Sequence, residues 1–333
     1  MSGVQLRTVD ADDDGVRLDR WFKRHFPAVG HGHLQKLLRT GQVRLDGKRV
    51  KAGDRLTMGQ EVRVPPISIN PAPPPQGPKS RPMDVPAGLL KDIKRRILFR
   101  DEHILALDKP AGLAVQGGSK TQVHIDGLLD GLRFGSDTKP KLVHRLDKDT
   151  SGVLVLARTQ DAARRLTQQF RQRETQKLYW ALVAGVPVPE RGTIHLALEK
   201  KSGPGGEKMV ASDFGKRAET IYNVVDYAGR KAAWLTMEPL TGRTHQLRVH
   251  AAIALETPII GDGKYGGPQA FPDGLSDNSG MQLHARAIRL ARPSGQPILI
   301  EAPAPDQMLQ SMRFLGFDPG DPEAGFLDRD EEL

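Results

Sequence analysis

The sequence predicts an α+β fold in two modules: a small α/β module in front and a larger one built on a mostly antiparallel, mixed sheet. Three observations support this. Residues 65–86, "PPISINPAPPPQGPKSRPMDVP", hold nine prolines in 22 positions, and a stretch so short of backbone donors reads as a semi-rigid linker. Ahead of it, apolar residues recur at helical spacing. Behind it, apolar runs are joined by hairpin signals, without the regular strand–helix–strand spacing of a doubly wound sheet.

The front module, residues 1–64, has a legible plan. "VRLDRWFKRHF" spaces Leu18, Trp21, Phe22 and Phe26 by threes and fours, an amphipathic helix with Arg17, Arg20, Lys23 and Arg24 on its other face. "HGHLQKLLRTG" gives a second helix, with Leu34, Leu37 and Leu38 inward and Gly41 as its stop. In "VRLDGKRV", Asp46-Gly47 suits a tight hairpin between two strands, and "GDRLTMGQEVRV" adds a further strand.

The second module, residues 87–316, mixes strands and helices. "ILALDKPAG" is a strand ending in a turn, "SGVLVLART" a buried strand, and "LYWALVAG" another. Between the last two, "DAARRLTQQFRQRE" is a helix with Ala162, Leu166 and Phe170 on one face. "TIYNVVDYAGRKAAWLTMEP" is a hairpin turning at "YAGR". "TGRTHQLRVHAAIAL" becomes a helix capped by Thr244, with Leu247, Ala251 and Ala254 inward. The end, 317–333, is acidic and expected to be disordered.

The chain of 333 residues has room for about two domains. The absence of cysteine excludes disulfides, thiolate nucleophiles and thiolate-bound zinc. No apolar run approaches the ~20 residues that span a bilayer. "MSGVQLRTVDADDD" is acidic and lacks the hydrophobic stretch of a signal peptide, so a cytoplasmic protein is expected. Net charge is +9, concentrated at the front: Arg17 to Arg63 holds 12 Lys/Arg against 4 Asp/Glu. Such one-sidedness favours a nucleic-acid surface over a merely solvated face.

Three signals lead nowhere. "GDGKYG" matches a dinucleotide-binding pattern, but the "GPQAFPDG" after it cannot open the required helix. "SGPGGEK" lacks phosphate-loop spacing. His245 and His250, five apart, do not share a helix face as zinc ligands would. No metal or cofactor is expected, and any reaction must run on ordinary side chains.

"HRLDKDTSG", residues 144–152, sets four charges against an apolar strand. Asp147 there reads either as a nucleophile or general base kept ionised by nearby cations, or as half of a structural Arg–Asp pair. Together with "ILALDKPAGLAVQGG" before it and "KLYWALV" and "TGRTHQLRVH" after it, this stretch resembles the RluA-type family of pseudouridine synthases over roughly residues 93–300. The front module resembles the S4-type RNA-binding domain. "KPAGLAVQGGS" and "HIDGLL" are most similar to the RluC branch, with the RluD branch and its different target uridines the near alternative.

The resemblance implies a cofactor-free isomerase acting on uridines of 23S ribosomal RNA, free or in an assembly intermediate; nothing in the sequence demands more than a monomer. It implies that Asp147 breaks the glycosidic bond and that Tyr179 lies against the base. Arg248 would pair with Asp147, and Arg145 would fill the gap left by a flipped nucleotide. His245 is expected to be structural, and Lys109 with Pro110 to shape the turn beside the site. Lys36, Arg39, Arg44 and Lys48 are the matching RNA-binding positions of the front module. Three rivals remain. A non-catalytic RNA-binding ribosome-assembly protein would leave the motifs unexplained. An RNA methyltransferase lacks its glycine loop. A hydrolytic glycosidase would need Asp149 as a second carboxylate.

Overall fold

The computed structural model describes residues 3–66, 88–118, 121, 123–203, 206–275, 280–292 and 295–327. The chain forms two compact units, Met1–Pro82 and Met83–Leu333. Residues 67–86 of the proline-rich stretch lie outside the described residues.

The first unit comprises β1 (Gln5–Thr8), α1 (Leu18–His25), α2 (His31–Arg39), β2 (Arg44–Leu45), β3 (Lys48–Arg49) and β4 (Glu61–Val64). The spacings read from the sequence become its core: Leu18, Trp21, Phe22, Leu34, Leu37 and Leu38 are buried together. Asp46 and Gly47 both take positive φ, 48° and 73°, as the hairpin between β2 and β3 requires. One strand was not foreseen. β1 lies in the acidic N-terminal stretch and pairs antiparallel with β4, although its side chains are mostly exposed and carry little apolar signal.

The second unit begins with α3 (Leu89–Arg95), β5 (Ile97–Arg100), β6 (Ile104–Lys109), α4 (Ile125–Leu128), β7 (Lys141–Leu142), β8 (Ser151–Ala157) and α5 (Gln160–Gln172). It continues through β9 (Gln176–Ala184), β10 (Arg191–His195), β11 (Leu198–Gly203), β12 (Gly206–Ala211), β13 (Glu219–Ala228) and β14 (Ala232–Pro239). It ends with α6 (Gln246–Val249), β15 (Leu283–Leu290), β16 (Ile298–Glu301) and α7 (Asp306–Leu315). Among the described residues a ten-stranded sheet runs β10-β13-β14-β9-β15-β8-β6-β5, with β16 beside β15 and β7 beside β8. β15 and β8 are parallel, and the other described pairings of this sheet are antiparallel. The fold is the mixed, mostly antiparallel α+β architecture expected.

Every residue of β8 is buried, because helices cover both of its faces. Leu154 and Leu156 pack in the cluster that includes Ile93 of α3 and Ile125 of α4. Val153, Val155 and Ala157 join Ala162 and Leu166 of α5. Period-two alternation thus feeds two cores, and the sequence reads as a continuous apolar run. At Gly152 the strand passes close to β15: φ is +105°, and a Cβ there would lie 2.2 Å from the Ala285 carbonyl oxygen.

Two expectations need correction. The tail read as disordered from residue 317 is packed through Leu327. Phe317 and Ala324 are buried in one apolar cluster with Trp180 and Trp234. Trp180 Nε1 donates to the Ala324 carbonyl at 2.8 Å, and Leu327 N donates to Glu238 at 2.7 Å. Its acidic composition masked the few apolar residues that anchor it. Thr244 does not cap the helix in "TGRTHQLRVHAAIAL"; His245 occupies that position, with φ +52°. α6 then widens into a π-type turn, His250–Ala254. That widening shifts the helical face, so Leu247 and Ala251 are buried while Ala254 is exposed. Among the described residues no helix is long and apolar enough to cross a membrane.

Candidate active site

Asp147 sits in the loop that delivers the chain into β8, on the wall of a cleft of about 740 Å³. Tyr179 of β9, Arg145, His245 and Arg248 line the same cleft. The structure therefore gathers the four second-unit residues read from the sequence, and adds His245. The Asp147 side chain is 27% exposed, reachable from the cleft yet backed by protein.

The loop is set from below by Lys109. Its side chain is fully buried, and the ammonium donates to the carbonyls of Pro110, Leu113 and Lys148 at 2.8–2.9 Å. The last of these is the residue after Asp147, so β6 fixes the position of the loop. Burial pushes the Lys109 ammonium down to about 8, against the pull of Asp149 and Asp147. His144 fixes the other side: its Nε2 accepts from Val155 N at 2.8 Å, and its ring stacks on Phe170 at 4.5 Å. Burial drives its pKa down to about 3, so the ring is neutral.

Each oxygen of Asp147 faces a nitrogen at the same distance. Arg248 Nη1 is 3.9 Å from Oδ2, and His245 Nε2 is 3.9 Å from Oδ1. The expected Arg248–Asp147 pair thus exists as a juxtaposition longer than a hydrogen bond. The fork of Arg248 is held elsewhere: Nε and Nη2 donate to Asp262 at 2.8 and 2.7 Å. Asp262 is buried. Its two hydrogen bonds hold the Arg248 guanidinium above its ordinary pKa despite burial.

His245 is likewise held. Its Nδ1 lies 2.7 Å from the Tyr265 hydroxyl. Burial lowers the His245 pKa, with Arg248 and Lys264 adding to that effect and Asp147 and Asp262 opposing it. Asp262 and Tyr265 both belong to "GDGKYG", the segment set aside as a dinucleotide decoy. This segment leads into a short 3-10 turn, Gly267–Ala270, and not into a full helix. The loop instead carries the two supports of the groups facing Asp147. Sequence reading missed them because each acts through a partner 14 or 20 positions away; the signal available was a lone acid and a tyrosine in a glycine loop.

Tyr179 packs between two apolar clusters. Burial and the nearby Asp147 charge push its phenol well up, so it stays protonated at neutral pH. Arg145 is exposed at the rim, with one weak contact to Gln116 at 3.4 Å. Asp149 is exposed and does not line the cleft, whose lining among the described residues holds no carboxylate besides Asp147. The loop before α6 is tied down by Gln246, which accepts from Thr241 and Arg243 and donates to the Glu219 carbonyl. In the first unit, Lys36, Arg39, Arg44 and Lys48 are all exposed. Arg44 also donates to the carbonyls of Gly41 and Gly47, both at 3.1 Å, so part of its guanidinium serves the hairpin.

Comparison with known proteins identifies the family. A family model described as RNA pseudouridylate synthase matches residues 103–253. The chain is 36% identical to Ribosomal large subunit pseudouridine synthase C of Salmonella typhi, over 94% of this chain and 97% of that one. It is 42% identical to an uncharacterized RNA pseudouridine synthase of Zymomonas mobilis, over 64% of this chain and 95% of that one. Among solved structures, Human RNA Pseudouridylate Synthase Domain Containing 4 superposes with a TM-score of 0.57 at 30% identity, covering 68% of this chain and 95% of that one. With a relative matched at 36% identity over 94% of this chain, the chain belongs to the RluA-type RNA pseudouridylate synthase family.

Proposed function

We propose that this chain isomerises uridines to pseudouridine in large-subunit ribosomal RNA, with the target range of the RluC branch. The observation that carries the reading is the placement of Asp147: a half-buried carboxylate in a cleft, faced by Arg248 and His245 and sharing that cleft with Tyr179. The similarity to a relative named for the large ribosomal subunit, across nearly the whole chain, supports the substrate.

In this reading the reaction detaches uracil from its ribose, turns it and rejoins it through carbon, with no atom gained or lost. Asp147 meets the anomeric centre as a carboxylate, either attacking it or taking the 2′ proton. Arg248 favours that charged state. Tyr179 lies against the base as a neutral phenol and helps keep it from escaping. Arg145, exposed at the rim, fills the gap left when the uridine leaves its stack. Lys36, Arg39, Arg44 and Lys48 supply phosphate contacts from a front RNA-binding module of residues 1–64. We take the enzyme to act as a monomer, in the cytoplasm.

The test compares wild type with Asp147→Asn on 23S RNA from a strain lacking the enzyme, mapping pseudouridine by carbodiimide primer extension. Stops with wild type alone are expected. Equal stops with both proteins overturn the assignment of Asp147, and none with either overturns the activity.

A further inference from the structure

The Tyr265 hydroxyl accepts from Met209 N at 3.2 Å and lies 2.7 Å from His245 Nδ1. A phenol has one proton, and with Met209 donating to its oxygen that proton is free for Nδ1. When the phenol gives that proton to Nδ1 in a hydrogen bond, a neutral imidazole carries its own proton on Nε2. Nε2 is the atom that faces Asp147 Oδ1 at 3.9 Å. The opposite tautomer would aim a lone pair at a carboxylate, which is repulsive. Asp147 thus selects the same tautomer that Tyr265 does.

The ring has little freedom to escape this arrangement. It meets the Tyr265 ring edge-on, with centroids 5.5 Å apart and planes at 77°. Its backbone is left-handed, in a loop fastened through Gln246. The Tyr265 ring is itself placed by the guanidinium of Arg248, 5.0 Å from its centroid. The charged groups around the imidazole are Asp147, Arg248, Lys264 and Asp262, two of each sign.

We propose that His245 is a positioning residue for Asp147: Tyr265 fixes its imidazole as the Nε2–H tautomer, and that N–H donates to Oδ1 when RNA occupies the cleft. Arg248 holds the other oxygen, so the carboxylate plane is set from both sides. The 3.9 Å separations tighten in the substrate complex, as hydrogen bonds in an empty site commonly do. The inference rests on reading Asp147 as the reacting carboxylate.

The test uses the full chain labelled with ¹⁵N-histidine, without RNA, and reads the imidazole nitrogen shifts at neutral pH. The His245 signals are assigned by their loss in His245→Phe. Wild type is expected to show a bare Nδ1 and a protonated Nε2. Tyr265→Phe, which keeps the ring and removes only the hydroxyl, is expected to show a mixture of tautomers. Its single-turnover rate on a ribosomal RNA fragment is expected to fall roughly tenfold to a hundredfold, with an unchanged dissociation constant for the RNA. His245→Gln, whose amide reaches the Nε2 position, recovers part of the loss seen in His245→Phe. A proton on Nδ1 in wild type overturns the proposal, as does a mixed tautomer with an undiminished rate. A wild type that forms no pseudouridine overturns instead the catalytic reading of Asp147, while the tautomer measurement stands apart.

Discussion

Arg248 gives both hydrogen bonds of its fork to Asp262, at 2.7 and 2.8 Å, and faces Asp147 only across 3.9 Å. Asp262 therefore orients and neutralises the buried guanidinium, which leaves the Asp147 carboxylate outside that hydrogen-bonded pair. Replacing Asp262 by Asn strands a charge in the interior. A loss of about 3–5 kcal/mol is expected by urea unfolding, together with a fall in activity. Adding Arg248→Met to that variant should restore much of the stability and none of the activity.

Gly152 is required by two independent constraints, its φ of +105° and the approach of the Ala285 carbonyl. Gly152→Ala should cost about 3 kcal/mol or more, because the obstacle is backbone in the middle of the sheet. Chemical denaturation, or recovery of soluble protein, measures it.

His144 titrates near 3, and His250 and His284 near 4, each lowered by burial from 6.5. The folded state therefore keeps these rings neutral while the unfolded chain protonates them. Their contribution is fully present above pH 6.5 and is lost as pH falls toward about 4 for His250 and His284 and about 3 for His144. With three such groups, stability should drop by about 4 kcal/mol per pH unit near pH 5. Urea midpoints at a series of pH values check the slope, and His284→Gln should reduce it by one proton.

In the proposed reading, Arg145 bears on the cost of extracting a nucleotide rather than on the chemistry. Arg145→Ala is expected to slow single-turnover conversion roughly tenfold to a hundredfold on a folded RNA hairpin, and much less on an unstructured strand. Equal slowing on both substrates would remove the assignment.

Changing Lys36, Arg39, Arg44 and Lys48 together to Gln should weaken RNA binding and flatten its salt dependence. The logarithmic slope should fall by up to about 3 if all four meet phosphates, with the rate at saturating RNA preserved. Binding titrations at several salt concentrations read this directly.

Local patterns were the legible part of this chain. The buried faces of α1 and α2, the Asp46-Gly47 hairpin and the strand of β8 all come from residues within one or two turns of each other. Asp147 and Tyr179 were legible because each sits in a distinctive short motif. Asp262 and Tyr265 were not, since their meaning lies in which buried nitrogen the fold brings to them. The packed segment 317–327 escaped for a related reason: Phe317 and Ala324 are anchored by tryptophans more than eighty positions away, while the acids between them dominate the composition. β1 carries almost no apolar pattern, because its partner strand supplies the reason for its existence.

β15 lies between β8 and β9 in the sheet, so it spaces the strand that Asp147 leads into from the strand that carries Tyr179. Those two elements lie near the middle of the chain, and the wedge between them is made more than a hundred residues later than β8. Leu283 of β15 also lines the cleft, so a growing chain lacks that part of its wall until residues 283–290 have been made. The order of strands along the chain thus makes the cleft one of the later parts of the fold to be completed.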